Sequence, residues 1–166
     1  MTLLVVHMQE TFPAARYEPV GAACEVEVVN AIKRGDDIVI AEWLGHGPTL
    51  ERLLRHLASY PRWARATRPG MDASEAVLET CRTQGFDASS FRSCGVETFH
   101  CLAATVEGLA RRAPGCAIEV VAEATVDKVI GWGMFPEVPN TMLVSQKPNT
   151  APQSLAPGRT TIPRYR

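Results

Sequence analysis

Cys101 is the residue in this chain best placed to attack a carbonyl. It stands in Ser93-Cys94-Gly95-Val96-Glu97-Thr98-Phe99-His100-Cys101-Leu102. Ahead of it, Phe91 to Cys94 predicts a short buried strand; behind it, Leu102, Val106, Leu109 and Ala110 fall at helical spacing. The turn from strand to helix puts Cys101 at a helix N-terminus, where unpaired N–H groups and the helix dipole favour a thiolate. A thiolate there is a nucleophile. The plain alternative is a small residue packed in a tight junction, the commoner fate of a free cysteine.

Three further residues with chemistry sit where strands should end. His7 follows the aliphatic run Leu3 to Val6, Glu42 closes the run from Ile38, and Arg68 follows a short strand over Trp63 to Thr67. Between these runs, helices are expected over Ala22 to Lys33 (Val26, Val29 and Ile32 on one side), Thr49 to Ser59, Ala73 to Thr83 and the stretch after Cys101. Ile118 to Ala122 predicts another buried strand, Thr125 to Ile130 a short helix ending at Gly131 and Gly133, and Thr141 to Ser145 a last strand. Strands alternating with helices of this length make right-handed βαβ units. The expected fold is therefore α/β, a three-layer α/β/α, doubly wound, mostly parallel sheet with Thr2 to Val6 central. In such sheets sites form beyond the carboxyl ends of the strands. His7, Glu42, Arg68 and Cys101 all fall there.

The chain has 166 residues, 46% apolar and 21% charged, enough for one domain with one core. Residues 1–146 are expected to form it. Residues 147–166 differ: Pro148, Pro152, Pro157 and Pro163 interrupt a stretch carrying Lys147, Arg159, Arg164 and Arg166 with no acid. With four basic residues and a whole-chain net charge of −1, that leaves −5 for the remainder. No packed element is expected there: the plain alternative is a floppy terminus, and the functional one, favoured here, is a basic, proline-rich tail lying along a partner, either a second copy or another protein. The overall charge gives no pull toward nucleic acid. Five cysteines without a small-scaffold spacing suit a reducing, cytoplasmic setting, and the apolar opening is too short for a membrane span.

The string from Cys94 to Leu109, CGVETFHCLAATVEGL, resembles the nucleophile turn of the isochorismatase-like cysteine hydrolases, the superfamily that includes nicotinamidases. The resemblance spans about residues 2–126. It implies that Cys101 is the nucleophile, that the Val96–Glu97 peptide is cis, and that the amides of Glu97 and Cys101 form the oxyanion hole. Two partners depart from the pattern. Leu3-Leu4-Val5-Val6-His7-Met8-Gln9 matches a strand that ends in Asp-Met-Gln, with His7 where the catalytic aspartate belongs. Arg68, in Thr67-Arg68-Pro69-Gly70, is the best match for the catalytic lysine. Glu42 to Thr49 looks like the second-strand loop of a metal-independent branch; Glu42 and His46 lack the spacing of the nicotinamidase metal site. No metal and no other cofactor is expected.

The replacements leave three classes of function open. A neutral His7 could serve as general base, giving a Cys101–His7 dyad with Arg68 beside it, acting on the C–N bond of a small-molecule substrate. Against that, imidazole is longer than carboxylate and arginine bulkier than lysine, and a shift of about 1 Å costs on the order of a hundredfold in rate. The expectation is therefore a degenerate member that keeps the cysteine, has impaired or lost hydrolysis, and serves as a structural or interaction subunit. A thiol redox pair of Cys94 and Cys101 is the third class, resting on their closeness in sequence.

Overall fold

Leu3, Leu4, Val5 and Val6 alternate between two apolar environments and are all fully buried, as a strand covered by helices on both faces requires. In a computed structural model, residues 1–126 and 135–146 are described. They form β1 (Thr2–Val6), α1 (Glu18–Arg34), β2 (Asp37–Trp43), α2 (Glu51–Leu57), β3 (Trp63–Arg68), α3 (Ser74–Gln84), β4 (Ser90–Val96), α4 (Ala103–Arg112), β5 (Ala117–Val126) and β6 (Thr141–Val144). A 3-10 turn over Pro13–Arg16 precedes α1 and a single π turn over Thr98–Leu102 precedes α4.

The sheet runs in the order β3-β2-β1-β4-β5-β6 and every pairing is parallel. The first two crossovers move one way from β1 and the next two the other way. Right-handed connections therefore put α1 and α2 on one face and α3 and α4 on the other. The buried residues divide accordingly. Leu3, Val5, Cys24, Val28, Leu53, Leu57, Cys94 and Val96 share one core. Leu4, Val6, Val77, Cys81, Cys101, Val106 and Leu109 share the other. The direction of winding reverses between β1 and β4, and the carboxyl ends of such a pair are where doubly wound sheets place their sites.

Some expectations shift in detail. Helix α1 begins at Glu18, with a proline in its first turn, where proline's missing N–H costs nothing. Its buried stripe is Val20, Cys24, Val28 and Ala31, whereas Val26 is 46% exposed. Thr125 and Val126, expected to open a helix, instead close β5. The register slips between Ser93 and Gly95, so that Gly95 pairs with Thr125, and this pairing outweighs the helical preference of Ala122, Glu123 and Ala124. The rest of that expected helix, with Gly131 and Gly133, lies outside the described residues, as does the tail at 147–166.

Candidate active site

The candidate site is built from the residues that leave β1 and β4. Val6 pairs with Gly95, and the two backbones are so close that a Cβ on Gly95 would lie 2.1 Å from the Val6 carbonyl oxygen. Gly95 also has φ +120°, which an L side chain rarely adopts. The Val96–Glu97 peptide is cis. Thr98 is buried, and its hydroxyl meets that of Thr125 on β5 at 2.8 Å. Cys101 follows within the π turn, whose amides at His100 and Leu102 both donate to the Glu97 carbonyl.

Cys101 is 4% exposed. Burial pushes its thiol up from the ordinary value, opposed by hydrogen bonds from the backbone amides of Glu97 and of Cys101 itself. Cys94, by contrast, faces the α1 side, where it shares a core with Cys24. The sheet separates it from Cys101.

His7 begins the β1 exit. Its amide donates to the Ala41 carbonyl at 2.9 Å, and its φ of +48° turns the chain out of the sheet. Its ring is 0% exposed, and neither ring nitrogen has a hydrogen-bond partner among the described residues. It packs within a cluster of rings. Phe12 stacks on it at 5.9 Å and Trp43 lies tilted at 5.7 Å, while His46 stacks on Phe12 at 4.8 Å and sits 4.7 Å from Trp43. Burial, with a smaller contribution from His46, lowers the His7 pKa to about 4. The imidazole is neutral at pH 7.

Gln9 fixes the loop that supplies two of these rings. Its side-chain amide donates to the carbonyls of Trp43 and Gly47 at 3.0 and 2.6 Å, and its oxygen accepts from the Trp43 amide at 2.7 Å. Glu42 accepts from the Thr49 amide and hydroxyl at the far end of the same loop. Phe12 and Trp43 are the residues here that sequence spacing did not bring forward; His46 entered only as half of a metal pair with the wrong spacing, and Gln9 only as the end of the β1 motif.

Arg68 lies at the end of β3, where its carbonyl accepts from Leu44. Its guanidinium is paired with Glu75 on α3. It borders a surface hollow with Glu79, Arg82 and Arg112; neither His7 nor Cys101 lines that hollow. The structure therefore places His7 and Cys101 at adjoining strand ends and turns the Arg68 charge toward α3.

No protein-family model matches this chain, and no curated protein does. Solved structures do. The nicotinamidase of Staphylococcus aureus superposes with a TM-score of 0.64 at 17% identity, over 75% of this chain and 81% of its own. A ribonuclease from Caenorhabditis elegans gives 0.63 at 19%, over 75% and 63%. An isochorismatase from Pseudomonas putida gives 0.61 at 15%, over 75% and 69%. The fold is isochorismatase-like. At such identities the likeness is one of architecture, and an isochorismatase-like sheet that also carries a protein described as a ribonuclease does not fix a chemistry.

Proposed function

We propose that this chain is a degenerate isochorismatase-like protein that keeps the nucleophile turn, has impaired or lost hydrolase activity, and acts as a structural or interaction subunit. The observation that carries this reading is His7 sealed among Phe12 and Trp43 with both nitrogens unpartnered. A general base must reach the proton it takes, and no hydrogen bond joins this ring to the Cys101 sulfur. The energetics point the same way. Moving the thiol proton to the imidazole runs from a group that burial pushes up to one that burial lowers to about 4, and so is uphill. Arg68, already paired with Glu75, offers little to offset it.

The test is alkylation of the native chain with iodoacetamide, resolved by cysteine, together with release of ammonia from nicotinamide and related amides. The expected result is that Cys101 reacts no faster than the other four cysteines and that no ammonia appears. Fast, selective labelling of Cys101, or hydrolysis abolished by Cys101→Ser, would establish an active Cys101–His7 enzyme instead.

The interaction role is assigned in part to residues 147–166, whose four positive charges face a remainder of −5. Deleting them is expected to leave the melting transition in place and to weaken assembly, with itself or with another protein, as measured by sizing. Unchanged sizing and partner binding would remove the tail from this role.

A further inference from the structure

The two edges of the sheet are finished differently. Along β3, Arg65 and Arg68 stand on the strand and Arg62 just ahead of it. Positive charge at an edge opposes pairing with another strand. Strand β6 has no such guard. Its sequence is Thr-Met-Leu-Val, Met142 is 62% exposed and Leu143 is 42% exposed. No described strand pairs with its outer side. Thr141 and Leu143 border a shallow groove of about 550 Å³ lined by Phe135, Pro136, Val138 and Pro139. Val144 points to the opposite face, against the α1 core.

We propose that the free edge of β6 pairs with β6 of a second copy, antiparallel about a two-fold axis normal to the sheet, joining two six-stranded sheets into one. A strand pairs with itself in this way only in registers that keep each side chain on its own face, so the numbers of opposed residues must add to an even sum. Of the two such registers nearest the strand's centre, the one that gives both Met142 and Leu143 apolar partners sets Leu143 opposite Leu143 of the second copy. It sets Met142 opposite Val144 on the α1 face and Thr141 opposite Ser145 on the groove face. Every opposed pair is then neutral, and the two most exposed side chains of the strand meet apolar partners. The same operation on β3 would bring its arginines together. A second copy is thus the occupant whose charge and side-chain pattern fit this edge, because the edge is complementary to itself. The surface is small, so the pairing is expected to be concentration-dependent. It is independent of whether Cys101 is reactive.

The experiment uses the full chain with Leu143→Lys and Leu143→Glu, each followed by sedimentation over a range of concentrations and by thermal melting. Wild type is expected to move from monomer to dimer as concentration rises. Each variant alone, setting like charges across the axis, should associate about tenfold more weakly or less. An equimolar mixture of the two should recover the dimer, because Lys and Glu then face each other. As a second reading, Leu143→Cys under mild oxidation should give a covalent dimer, since opposed strand positions lie within disulfide reach. A wild type that stays monomeric, or a dimer indifferent to both charges, would overturn the proposal. So would a mixture no better than its components together with a Leu143→Cys chain that fails to cross-link. Loss of the dimer on deleting 147–166, with both charge variants still dimeric, would assign assembly to the tail alone.

Discussion

Between pH 7 and pH 4.5, burial of His7 should cost the fold about 2 kcal/mol that a non-titrating side chain would not. In the unfolded chain this imidazole takes a proton near pH 6.5; in the folded chain it does so only at about 4. Below pH 6.5 the unfolded state therefore binds the extra proton first, and stability falls with pH until the folded value is reached. The complete gap of 2.5 corresponds to about 3 kcal/mol at 1.36 kcal/mol each, of which about 2 has been lost by pH 4.5. His7→Phe keeps a ring among Phe12 and Trp43 and removes the proton site. The assay is urea unfolding of both chains at pH 7, 5.5 and 4.5. Carboxylates with depressed pKa values, such as Glu25 at about 2 among Arg52, Arg55 and His56, destabilise both chains equally in acid and cancel in the difference. Wild type should lose about 2 kcal/mol more than the variant over this range. Parallel losses, within about 0.5 kcal/mol, would show that His7 is not held neutral by burial and would undo the argument from its environment.

Two other predictions concern packing. Gly95→Ala sets a methyl 2.1 Å from the Val6 carbonyl oxygen and should cost more than about 3 kcal/mol, read as loss of soluble folded protein or a large fall in melting temperature. Arg92 on β4 bridges Glu27 on α1 at 2.6 Å and Glu119 on β5 at 2.6 Å, with Glu27 nearly inaccessible. Arg92→Met should cost about 3–5 kcal/mol by stranding the Glu27 charge, and adding Glu27→Leu should restore most of it in a double-mutant cycle.

The sheet was legible because its strands are unbroken apolar runs, and their alternation with amphipathic helices leaves few topologies. The strand ends named His7 and Cys101 for the same reason. What could not be read came from contacts between distant segments. Two valine-bearing stripes on α1 have the same period, and only the sheet beneath decides that Val20, Cys24 and Val28 go in. The end of β5 depends on a slip of register against β4, which local propensity does not encode. The surroundings of His7 come from loops more than thirty residues apart, and Glu75, the partner of Arg68, is on the helix that follows.

The nucleophile turn answers to two demands at once. Gly95 is required by the Val6 carbonyl, Thr98 by the hydroxyl of Thr125, and Cys101 by its place in the core beneath α4. Each would be missed by the fold before it was missed by any substrate. The positions that the resemblance assigns to proton transfer and charge are held by other contacts: His7 packs among Phe12 and Trp43, and Arg68 pairs with Glu75. A cysteine that packing alone would require is by itself no gauge of a working catalyst.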